Sequence, residues 1–156
     1  LALTLDIHLL LLLLIAHIFG DVFMYSPKLS TGKRTDSHYK MTGSLLIHSI
    51  LHAAVVWLIL WKYPLQFKTT AAIYFLILHF IIDYLRILIE KNIYQKDELV
   101  IFKRRDILNF LFKKNSAEIN LFLNNHFHKW ILQNIMDQSL HLATIIFFVL
   151  MFDNSF

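Results

Sequence analysis

Four stretches of this chain, residues 5–24, 44–61, 71–89 and 131–151, are apolar for long enough to cross a bilayer. A hydrocarbon core of about 30 Å takes about 20 helical residues. Lipid offers no partner to a backbone N–H or C=O, so spanning segments fold either as helices or as a closed barrel. The short alternating segments of barrel strands are missing, which leaves helices. Composition agrees, with 57% hydrophobic and 17% charged residues, where soluble domains carry about a quarter charged. The expected fold is an all-α membrane protein: a four-transmembrane-helix bundle forming a single domain over residues 1–156.

The breaks between spans are marked by Pro27, Gly32 and Gly43, then by Pro64, then by a basic connection over residues 90–130. In that connection, Ile107, Leu108, Phe110 and Leu111 with Lys113 and Lys114 read as one amphipathic surface helix. Asn115 and Glu118 are positioned to cap a second, carrying Ile119, Phe122, Leu123 and Phe127. Such basic, aromatic helices bind anionic lipid headgroups along a membrane surface, or lie as a lid over a site beneath them. Membrane lipids are therefore expected partners. Nucleic acid is not, despite a pI near 9.3, because apolar residues dominate the same faces.

Orientation follows from Lys and Arg. The first and third connections hold twelve of them, Lys28, Lys33, Arg34 and Lys40 among them, against Lys62 and Lys68 in the second. The positive-inside rule puts the first and third connections in the cytoplasm and both termini outside. Trp57, Trp61 and Tyr63 then mark the outer interface, Tyr25 and Trp130 the inner one. The first span lacks a basic n-region and a small-residue cleavage site, and is expected to be retained.

Each span carries one ionisable pair at a spacing of four: His17 with Asp21, His48 with His52, His79 with Asp83, and Asp137 with His141. Residues i and i+4 share a helix face. The pairs fall late in spans 1 and 3 and early in spans 2 and 4, so all eight side chains lie at one depth, in the cytoplasmic half of the membrane. An intramembrane Asp costs about 2.5–3.5 kcal/mol on insertion. Three of them must point inward and find partners. A hydrogen-bonded network without metal would serve, but imidazole with carboxylate is also the donor set for Zn²⁺ or a similar divalent ion. Cysteine is absent, so any metal must be held by these residues. The expected ligands are His17, Asp21, His48, His52, His79, Asp83, Asp137 and His141, for one or two ions. No Glu lies within the spans, which leaves Asp21, Asp83 or Asp137 as general base. Ser44, Ser49 and Ser139 lie near this layer without a nucleophile-elbow sequence. Arg86, a turn beyond Asp83, either holds a substrate headgroup phosphate or pairs with Glu90 at i+4. Gln138 is expected to face a neighbouring helix. His8, His38, His126 and His128 are expected at the interfaces.

The strings Ala16-His17-Ile18-Phe19-Gly20-Asp21, His48-Ser49-Ile50-Leu51-His52-Ala53, His79-Phe80-Ile81-Ile82-Asp83-Tyr84 and Asp137-Gln138-Ser139-Leu140-His141 resemble, in order and in helical placement, the four motifs of a bacterial membrane-protein family catalogued as domain of unknown function 3307. The resemblance covers the spans and not the basic third connection. It implies the bacterial inner membrane and a metal site, and no particular reaction. The residues themselves point to a metal-dependent hydrolase that takes a lipid or lipid-linked substrate from the cytoplasmic leaflet. The alternative is non-enzymatic: a metal or proton translocation unit, or an anchor or effector in a homo-oligomer or larger membrane assembly, with Ser44, Ser49, Ala53 and Ala54 as a small contact face.

Overall fold

The computed structural model describes residues 6–23, 26–35, 37–93 and 117–152. Among them all regular structure is helical: α1 (Ile7–Phe23), α2 (Pro27–Lys33), α3 (His38–Ile59), α4 (Leu65–Ile93) and α5 (Ala117–Phe152). Asp6 caps α1, its Oδ1 accepting from Leu9 N at 3.0 Å. Pro27 opens α2, where a missing N–H costs nothing. Pro64 accepts the first bond of α4 from Lys68 N at 3.1 Å, so the residue that ends the α3–α4 connection also starts the next helix.

α3, α4 and the stretch of α5 from Asn124 are long and apolar enough to cross a membrane, and α1 is a shorter apolar helix. Their outward faces are apolar in helical register. Ile7, Leu11, Ile15, Ile18 and Val22 line α1, and Ile73, Ile77, Ile81, Leu85 and Ile89 line α4, all exposed. A continuous apolar stripe of this kind fits lipid and not water.

Several boundaries differ from those read in the sequence. α3 starts at His38 rather than at residue 44 and runs through Gly43, which a helix interior tolerates at a cost of about 1 kcal/mol. α4 starts at Leu65, before the apolar stretch. The second surface helix expected around Asn115 and Glu118 is not separate. From Ala117 the chain is already α5, which runs unbroken into the fourth apolar stretch. At 36 residues and 1.5 Å per residue it is about 54 Å long, well beyond a hydrocarbon core. The first surface helix, around 107–114, lies outside the described residues, as does Tyr25. The short α2 is an addition to the expected elements.

The interior is layered. At one end Leu9, Leu13 and Ala16 of α1 meet Val55, Val56, Phe67, Phe75, Ile145, Phe148 and Val149, with Tyr74 and Phe152 packed against them. Phe148 sits at ring-centroid distances of 5.0 Å from Tyr74, 5.3 Å from Phe75 and 4.5 Å from Phe152. Tyr63 lies at this end too, its phenol pushed above its usual range by burial and, secondarily, by the Asp6 carboxylate. At the other end Met41, Leu45 and Ile87 form a smaller cluster with Phe80 and Tyr84. Between the two apolar clusters lies a polar layer. Lys68 covers the ring of Trp57 at 4.0 Å and Lys62 that of Trp61 at 5.4 Å, placing cations and indoles together at the α3–α4 connection.

Candidate metal centre

The four i, i+4 pairs converge as their spacing predicts. His48 and His52 enter from α3, His79 and Asp83 from α4, Asp137 and His141 from α5, all buried, and His17 and Asp21 enter from α1. His79 stacks on His52 and on His141, with centroids 3.8 and 4.4 Å apart, and His48 meets His52 edge-on at 4.6 Å. Gly20 lets α1 approach α3. A Cβ there would collide with the His52 ring.

Each imidazole turns its Nε2 towards a carboxylate. Asp21 Oδ1 lies 3.2 Å from His52 and 3.8 Å from His48. Asp83 Oδ2 lies 3.7 Å from His48 and 3.8 Å from His79, and Asp83 Oδ1 lies 3.6 Å from His141, which is also 3.7 Å from Asp137 Oδ1. Most of these separations exceed a hydrogen bond. At 3.2–3.8 Å they lie within a few tenths of an ångström of the edge of a coordination tetrahedron, about 3.4 Å for ligands held at 2.0–2.1 Å from an ion. His52 Nε2, His79 Nε2 and Asp137 Oδ1 are buried without any hydrogen-bond partner. A buried polar atom left so is costly, and an ion at this point would satisfy it. Three groups bring donor atoms within 4.8 Å of one another: Asp21, His48, His52 and His79; His17, His79 and His141; and Asp83, Asp137 and His141.

The three carboxylates are not equivalent. Lys33, at the end of α2, places its Nζ 2.5 Å from Asp83 Oδ2. Arg86 places Nη1 2.6 Å from Asp137 Oδ2 and donates from Nη2 to Asn134 Oδ1 at 3.0 Å. Asp21 has only imidazoles and an amide around it among the described residues. The layer therefore holds three carboxylates and two permanent cations. The four-donor group around Asp21 is the one where a further positive charge meets an uncompensated negative one, and His3Asp is a sound donor set for Zn²⁺.

Arg86 does not pair with Glu90, one of the two roles its spacing suggests. Glu90 instead takes a two-point contact from Arg34, at 2.5 Å from Nε and 3.1 Å from Nη2. Glu90 is also buried within α4, because that helix outlasts the apolar stretch. Gln138 does not face away from the site. Its Oε1 lies 3.3 Å from His17 Nε2, and its Nε2 donates to Asp21 Oδ2 and Asp137 Oδ2, both at 3.3 Å. Ser49 donates to its own helix, to Leu45 O at 3.0 Å, so its hydroxyl is committed to a backbone carbonyl. His8, His38 and His128 are exposed.

Sequence reasoning misses Lys33, Arg34 and Asn134 as parts of this layer. No local pattern marks Lys33 or Arg34, which reach carboxylates 50 and 56 residues away. Asn134 and Gln138 carry a legible signal. With Asp137 and His141 they repeat at three and four residues, a polar stripe along α5. Beside the histidines, towards the larger apolar cluster, a cavity of about 10 Å³ lined by Leu13, His17, His52, Phe75, His79 and His141 has room for one water-sized occupant.

A family model described as "Protein of unknown function (DUF3307)" matches residues 9–156. The chain belongs to this family. The match spans all four motif-bearing helices and the basic connection as well, so the DUF3307 match takes in the third connection that the motif resemblance left out. No curated protein and no solved structure matches the chain.

Proposed function

We propose that this chain is an intramembrane metal-dependent hydrolase of the bacterial inner membrane, acting from the cytoplasmic leaflet on a lipid or lipid-linked substrate. In this reading α1 is the first of four spans and both termini face outward. His17, Asp21, His48, His52, His79, Asp83, Asp137 and His141 form the centre. The observation that carries it is Asp21 beside three imidazoles, two of them with a buried Nε2 that nothing else satisfies. A divalent ion held there with one position left open to water would lower the pKa of that water to about 7, which would supply hydroxide at neutral pH.

The rest falls to the chain's own residues. Lys33 and Arg86 pair with Asp83 and Asp137 and fix their carboxylates in place. Asp21, the least buried of the three and free of cationic partners among the described residues, would hold the ion, and Asp137 Oδ1, buried without a hydrogen-bond partner, is a carboxylate oxygen left to accept a proton from water. The apolar clusters above and below limit bulk water. Arg86 is engaged with Asp137 and Asn134, so an anionic headgroup is better served by Lys28 and Lys40, which line an open groove of about 490 Å³ with Thr31, Gly32 and Thr35. The translocation alternative needs a polar path to the far side, and the cluster around Phe67 and Phe148 fills that half with apolar rings.

The test is hydrolysis of radiolabelled inner-membrane lipids by the purified protein in liposomes, with and without chelator. Release of a water-soluble product that chelator abolishes and Zn²⁺ restores is expected. Ion flux across the same liposomes without hydrolysis would replace this reading with transport.

A further inference from the structure

Resting on the metal-centre reading, we infer that His17 stands outside the coordination set, and that His17 and Gln138 are positioning residues that hold the ligand Asp21 on the more exposed side of the layer, along α1 and α5. The two oxygens of Asp21 face different company. Oδ1 points at His48 and His52, two of the other three members of the four-donor group. Oδ2 points away from them, at His17 Nε2 (3.4 Å) and at the Gln138 amide (3.3 Å). A carboxylate with one oxygen on an ion and the other taken up by hydrogen-bond donors is the usual way protein groups around a metal orient its ligands.

The orientation of the Gln138 amide follows from chemistry. Its nitrogen lies 3.3 Å from both Asp21 Oδ2 and Asp137 Oδ2. Turned over, its oxygen would face two carboxylates. The NH₂ must therefore point to the aspartates, which leaves Oε1 as an acceptor against His17 Nε2. With acceptors at 3.3 and 3.4 Å, His17 Nε2 carries hydrogen and cannot be a ligand atom. His79 Nε2 stands in contrast, buried without a hydrogen-bond partner and 3.8 Å from Asp83 Oδ2. Once His79 serves the group around Asp21, the alternative group of His17, His79 and His141 is left with two members.

Exposure agrees. The His52, His79 and His141 side chains are 3–4% exposed, those of His17 and Asp21 13% and 30%, and Gln138 is exposed. The more exposed side of the layer therefore lies along α1 and α5, at His17, Asp21 and Gln138, and the more buried side along α3 and α4. A group reaching Asp21 from the exposed side comes from the lipid, past His17 and Gln138.

The experiment uses Zn²⁺ and Co²⁺ as probes on the purified full chain, with folding followed by circular dichroism. Ion content and the cobalt absorption spectrum are compared for the wild type, His17→Gln, His17→Phe, Gln138→Leu and His79→Gln. His17→Gln, which can still donate to Asp21, should keep wild-type stoichiometry and an unchanged spectrum. His17→Phe and Gln138→Leu should bind the ion 10–100-fold more weakly at the same stoichiometry, and His79→Gln should lose it. If His17→Gln empties the site or alters the spectrum as His79→Gln does, His17 is a ligand and the inference is overturned while the metal centre stands. A folded wild type that takes up neither ion overturns both.

Discussion

Single atoms decide whether this layer works, and the glycines show it. Gly20 and Gly43 both sit in helices, but only Gly20 faces the centre. In Gly20→Ala the added methyl must displace the His52 ring or the α1 backbone, a cost of about 1–3 kcal/mol by the usual penalty for overpacking. Zn²⁺ titration of the folded variant should show weakened binding. Gly43→Ala meets nothing and removes a poor helix former, so its thermal midpoint in detergent should be unchanged or raised, by up to about 1 kcal/mol in stability. The buried charges are more demanding. Arg86→Met leaves the Asp137 carboxylate, 2% exposed, without its cation, which costs about 3–5 kcal/mol for a broken buried pair. Arg86→Met with Asp137→Asn should recover most of that loss in the same thermal assay. A variant no less stable than the wild type on loss of Arg86 alone would mean that Asp137 is not ionised.

Among elements, α2 is the least legible in sequence and the most dependent on tertiary contacts. Seven residues are too few to form a stable helix alone. It is held by Lys33 to Asp83, Arg34 to Glu90, and Lys91 Nζ to Thr35 O at 2.7 Å. Gly32 lies so close to Ser44 that a Cβ there would clash with the hydroxyl. Lys and Arg in a connection predict orientation, not partners, because the partner depends on how α2 folds back. Arg34→Ala should speed trypsin cleavage after Lys28 in open vesicles several-fold over the wild type; an unchanged rate would show that the Arg34–Glu90 contact does not secure α2. The apolar stretches are legible because lipid enforces unbroken helices. Their ends are not, since a helix continues past the hydrocarbon with polar residues such as His38, Lys91 or Asn120. On α5 the face of Gln138 is the one that differs from expectation. Adjacency to Asp137 suggests a different face, but Gln138 lies three residues before His141 and shares its side of the helix.

At the scale of the molecule, the gathering of the four His and Asp pairs into one layer is legible in the sequence, because depth and face both follow from helix periodicity. What periodicity cannot give is the pairing inside the layer. Which carboxylate receives Lys33, which Arg86 and which neither depends on helix rotations fixed by packing around Ala16, Ala71 and Phe148. The distribution of Lys and Arg gives a topological expectation: a thiol introduced at Lys62→Cys should react with an impermeant maleimide from outside the cell, and one at Lys40→Cys only after the membrane is opened. The reverse labelling would invert the orientation. The central claim, an ion held by Asp21, His48, His52 and His79, is tested most directly by an anomalous difference map at the zinc edge from crystals of the protein loaded with Zn²⁺. The account predicts a peak within coordination distance of those four side chains, and a folded protein with no peak in the layer would contradict it.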